Sequence, residues 1–119
     1  MRAEIKNFYS NDIDLHLSNY NLDNDNFGIW ARIIVGERNG IGEESFDIFI
    51  CTPQWLKENI KNDDAIFGYH YMIVNKFDYL KIYNKLEEYV NNIDEKDWKS
   101  IANKISFIGK WEFDGYTED

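Results

Sequence analysis

The chain holds one cysteine and one proline, and it has no excess of positive charge. A lone Cys51 excludes an intramolecular disulfide and fits a reducing compartment. A single proline with 7 glycines in 119 residues leaves no composition for a linker or a low-complexity segment. No apolar run approaches the ~20 residues that a membrane helix needs. Met1 to Ser10 is charged and alternating, without the apolar stretch of a secretory signal. The expected location is therefore the cytoplasm. Basic patches beside the aromatics are also missing, which disfavours a nucleic-acid platform.

What is present is core material and negative charge. Apolar residues make up 44% and aromatics 17%, and 119 residues suffice for one domain with one core, expected over residues 1–119. The net charge is −9, and it is unevenly placed. Residues 76–104 balance six lysines against six acids, so the excess lies in residues 1–75 and in the tail 105–119. Such a field repels polyanions and attracts basic partners, although an acidic surface also simply keeps a protein soluble.

The periodicity orders the chain. Ala3 to Tyr9 alternates partly, and Ile13 to Leu17 offers a further short strand before the Asn/Asp-rich loop 21–26. Phe27 to Val35 is the clearest strand, with Phe27, Ile29, Ala31, Ile33 and Val35 on one face. Its other face carries Trp30, Arg32 and Ile34. Asn39-Gly40 and Gly42 mark a turn, and Glu44 to Cys51 returns as the second strand of an antiparallel hairpin. Thr52-Pro53 caps and opens a short helix, because threonine accepts from orphan N–H groups and proline is pre-set for the first helical position. Ala65 to Val74, apolar on both faces, reads as an interior strand. From Tyr79 the period becomes helical, with Tyr79, Leu80, Tyr83, Leu86, Val90 and Ile93 recurring. Asp94 and Asp97 cap a further helix striped by Trp98, Ile101, Ala102, Ile105 and Ile108, and Gly109 stops it. Trp111 to Asp114 offers a short terminal strand. The expected fold is α+β: a mainly antiparallel sheet, a short helix after the central hairpin, and two C-terminal helices on one face.

Chemistry finds little support. Cys51, His16 and His70 lack the spacing of a zinc site or a nucleophile pair. Cys51 precedes a helix N-terminus, which can activate a thiol, but a small buried core residue is the plainer reading. Gly36 to Gly42 joins two strands and leads into no helix, so its glycines serve turn geometry rather than phosphate binding. Asp12-Ile13-Asp14 and Asp23-Asn24-Asp25 lack the remaining ligands of a calcium loop. No catalytic residue, metal or cofactor is expected.

Two stretches carry a family resemblance. Glu44 to Leu56 is a strand ending in Cys51-Thr52-Pro53, followed at once by Trp55-Leu56 on a short helix. Asp97-Trp98, Ile101 and Ile105 lead to Gly109-Lys110-Trp111-Glu112-Phe113-Asp114-Gly115-Tyr116. Between them lies a weaker match, Gly68 to Val74. This order resembles the immunity protein 8 family of bacterial polymorphic-toxin and contact-dependent inhibition systems, over roughly Ala3 to Tyr116. The resemblance implies a non-enzymatic protein that binds the C-terminal domain of a secreted toxin and protects its producer. Thr52, Trp55, Trp98, Trp111 and Phe113 also have an ordinary role in capping and packing.

Many such toxin domains are nucleases, whose clefts are basic, so an acidic inhibitor gains in association rate. The candidate toxin-binding residues are the loop acids Asp23, Asp25, Glu43, Glu44, Asp63 and Asp64. A protein-binding adaptor unrelated to toxins fits the same composition. A small enzyme using Cys51 or His70 has no second catalytic group in any motif.

Overall fold

A computed structural model describes residues 1–13, 16–20, 25–60 and 64–113. It is an α+β fold, an open sheet of five strands with three α-helices. The strands are β1 (Ala3–Tyr9), β2 (Gly28–Glu37), β3 (Glu44–Cys51), β4 (Tyr71–Ile73) and β5 (Lys110–Trp111). The helices are α1 (Pro53–Asn59), α2 (Tyr79–Asn91) and α3 (Trp98–Ile105), with a single 3-10 turn at Leu17–Asn19. The sheet order is β1-β2-β3-β4, and β5 shares the outer side of β3 with β4.

The hairpin of β2 and β3 is the centre of the sheet. Its register runs from Gly28 opposite Cys51 to Val35 opposite Glu44. Ile29, Ala31, Ile33 and Val35 share one face with Phe46, Ile48 and Ile50, and all are buried. Asn39 takes φ 63° in the connecting turn, a conformation asparagine tolerates better than most residues. In β1 the alternation is imperfect because the pairing shifts between Ile5 and Asn7. That bulge lets Ile5 sit opposite Val35 and Phe8 opposite Ile33, both on the core side. The extra residue, Lys6, turns its amine to the Gly40 carbonyl.

Side chains from α2 (Ile82, Leu86, Val90) and α3 (Ile101, Ala102, Ile105) join that same core. Their caps are acidic: Asp78 accepts from Lys81 N, and Asp97 from Ser100 N. Asp94 does not cap α3. Instead it pairs with the N-terminal amine and Arg2, tying the two distant segments together. Leu80, placed by periodicity on the apolar stripe of α2, is 66% exposed, and Ile82 takes the buried position.

The region 65–74 differs most from expectation. Only Tyr71–Ile73 is strand, it lies at an edge, and it pairs parallel with β3. His70 interrupts the extended run with φ 61°. Its ring is nearly buried, and Nε2 donates to the Ser106 carbonyl at 2.8 Å. This bond couples the start of β4 to the end of α3 and overrides the β pattern of the preceding residues. The strand expected across Ile13 to Leu17 is replaced at its C-terminal end by the 3-10 turn, whereas Asp14 and Leu15 lie outside the described residues.

Candidate protein-binding surface

Side chains of α2 and α3 share a core with one face of the sheet, and among the described residues α1 meets the opposite face at one end. There Thr52 caps α1 by accepting from Trp55 N. Helix α1 contributes no fully buried residue, and its one aromatic, Trp55, meets the sheet. The Trp55 ring packs on Phe49 at 4.8 Å between centroids, and Phe49 also meets Trp30 at 5.1 Å and Tyr71 at 4.9 Å. Gly28 makes this approach possible: a Cβ there would stand 2.7 Å from both the Phe49 and Trp55 rings. Phe49 is thus the buried hub of an aromatic cluster whose outer members are half open to solvent. Trp30 is 47% exposed.

Beside the cluster, Arg32 and Asp47 face each other across β2 and β3. Arg32 Nε donates to Asp47 Oδ1 at 2.7 Å and Nη2 to Oδ2 at 3.2 Å, a two-point geometry. These bonds, helped by the Tyr9 hydroxyl, hold the guanidinium further above its ordinary value. The pair is over a third exposed, so it adds at most about 1 kcal/mol to stability. Its effect is to fix a planar charged plate next to the rings. Tryptophan, tyrosine and arginine are the residue types that carry binding energy in protein interfaces.

Of the acids singled out from the sequence, the four that are described do not form one patch. Asp25 is exposed and adjoins α1, since its neighbour Asn26 donates to Glu58 Oε2 at 2.6 Å. Asp64 is exposed as well, at φ 60°, and its N–H donates to Ile60 at the end of the same helix. Glu43 is exposed at the opposite end of the β2–β3 hairpin, roughly 23 Å away at strand rise. Glu44 faces inward: its Oε2 accepts from Trp98 Nε1 and from Trp111 Nε1, each at 2.8 Å. This carboxylate ties α3 and β5 to the start of β3. Asp23 and Asp63 lie outside the described residues.

In the sequence Trp30 lies on the second face of β2, while Phe49, Trp55 and Tyr71 each read alone as core. One signal was available. The second face of β2 and β3 still carries Trp30, Ile34 and Phe49, yet the amphipathic stripes of α2 and α3 suffice to cover only the first.

Cys51 is fully buried, and burial pushes its thiol up, away from a reactive thiolate. Among the described residues, no group of three or more His, Cys, Asp or Glu side chains could hold a metal ion. No described helix is long and apolar enough to cross a membrane.

Comparison with curated proteins found no match, and comparison with solved structures found none. A family model, by contrast, covers nearly the whole chain, including the β3–α1 junction and the Trp98 to Phe113 segment described above. Matched from residue 3 to residue 116, the chain belongs to the immunity protein 8 family.

Proposed function

We propose that the chain binds a cognate toxin domain in the cytoplasm and neutralises it, with the half-open aromatic face as the principal contact. Family membership carries the toxin as partner. The contact surface is argued from Trp30, Trp55 and Tyr71. Trp30 and Tyr71 on the sheet and Trp55 on α1 are all packed against the ring of Phe49, so less side-chain entropy is lost on binding.

Asp25 and Asp64, beside α1, form an acidic rim to this face. A nuclease is the toxin class best matched, because its cleft must be basic to hold a polyanion, and this chain carries −9. The rim steers association, and the aromatics set the rate of release. Glu44 is set aside as a contact, since its carboxylate is occupied by two indoles.

The test is protection in living cells. Bacteria expressing the toxin domain encoded beside this gene should survive when the chain is co-expressed. The triple variant Trp30→Ala, Trp55→Ala, Tyr71→Ala should fold but fail to protect. Full protection by that variant would remove the aromatic face from the mechanism. No protection by the unaltered chain would remove the toxin itself.

A further inference from the structure

Among the described residues, one side of the β4 backbone has no partner. Phe49 N donates to the His70 carbonyl, and Val74 N donates to the Cys51 carbonyl. Successive residues of a strand point their peptide groups to opposite sides. Met72 therefore faces β3, and the N–H and C=O groups of Tyr71 and Ile73 face outward. No described residue bonds them. An open edge of this kind is a template for another strand, and proteins usually cover or blunt it.

Alongside this edge runs a groove of about 520 Å³ between β4 and α2. Ile48, Met72, Val74, Ile82 and Leu86 make its floor. Lys81 and Lys85, one helical turn apart on α2, form its wall, with Lys76 at the entrance. These three lysines are exposed, and no ion pair engages them among the described residues. The one acid in the lining, Asp78, is committed to capping α2. In a chain of net charge −9, the groove is a local cationic site beside unmet backbone groups.

We infer that the outer edge of β4 takes up an extended segment of the toxin domain as an added strand, with carboxylates on alternate residues facing Lys76, Lys81 and Lys85. This deepens the toxin reading and rests on it. A strand fits better than a helix because the outward groups of Tyr71 and Ile73 can pair with an extended main chain, whereas a helix has already satisfied its own. Acidic side chains match the lysines, and carboxylates on alternate residues reach them together because residues i and i+2 of a strand share one face. A nucleic-acid strand would meet the same cations, but it offers no backbone pairing to the edge, and the chain's overall field opposes it.

The test uses the toxin domain encoded beside this gene. Amide hydrogen exchange of the unaltered chain, free and in complex, reads the edge directly: Tyr71 and Ile73 should become protected on binding. Ile73→Pro removes an outward donor without breaking the ladder to β3, and it should weaken binding by about tenfold or more. Ile73→Ala, which keeps the N–H, should lose less. Lys81→Glu combined with Lys85→Glu should weaken binding to a similar degree as the proline.

A complex in which Tyr71 and Ile73 exchange as fast as in the free chain, and which tolerates these variants, would overturn the strand addition and leave the toxin reading standing. Failure of the unaltered chain to bind would overturn both. Should the proline variant unfold, exchange in the unaltered chain still decides.

Discussion

Replacing Glu44 with alanine tests the reading of this acid as a structural clamp. Its Oε2 receives two indole N–H bonds of 2.8 Å, from Trp98 at the start of α3 and from Trp111 in β5. A hydrogen bond to a charged group contributes roughly 1.5–3 kcal/mol when buried. All three residues are only partly buried, and the stranded indole N–H groups can reach water, so the lower end applies. The expected loss is about 2–4 kcal/mol for the pair of bonds, a fall in melting temperature of roughly 10 °C for a domain of this size. Glu44→Gln keeps an acceptor oxygen and gives up only the charge, so about half of that loss is expected. Denaturant unfolding followed by tryptophan fluorescence measures both, and the spectrum of the folded state should also shift. A loss under about 0.5 kcal/mol for Glu44→Ala would refute the clamp. It would also return Glu44 to the list of candidate contacts, where a free loop acid belongs.

Three further outcomes follow from the same structure. Trp30→Ala should cost only about 1 kcal/mol of stability, the value of one exposed aromatic pair with Phe49, yet weaken toxin binding by about 2 kcal/mol or more; equal effects on both would mark Trp30 as ordinary packing. Native Cys51 should react with a thiol reagent only as fast as the fold opens, because the thiol is buried and pushed up by burial; rapid labelling of the folded chain would contradict this. Asp97 is held below the usual carboxylate range by the backbone N–H and side chain of Ser100. A depressed carboxylate contributes stability above its unfolded value and loses it as the pH falls through the folded one, so Asp97→Asn, itself a good cap, should flatten part of the stability loss below about pH 4. An unchanged acid limb would show that other carboxylates account for it.

How much of this could be read from the residues depended on how local the cause was. The β2–β3 hairpin and the start of α1 were legible because alternation, Asn39-Gly40 and Thr52-Pro53 act within a few residues. The β pattern of residues 65–70 misled because its decisive interaction is remote: His70 bonds the carbonyl of Ser106, 36 residues on. The partners of Glu44 and Asp94 are remote as well. Each looks like a surface or capping acid, and each is held by groups far along the chain. The aromatic face and the β4 groove depend on which sheet face and which edge the helices leave uncovered, a property of the assembled layers and not of any segment.

The central claim is neutralisation of a toxin by direct binding, steered by charge and held by aromatics. Its most direct test is calorimetric titration of the chain into the folded toxin domain encoded beside its gene, at low and at high salt. The account expects a one-to-one complex of nanomolar affinity that weakens as salt rises. A folded toxin domain that gives no complex at either salt concentration would contradict it.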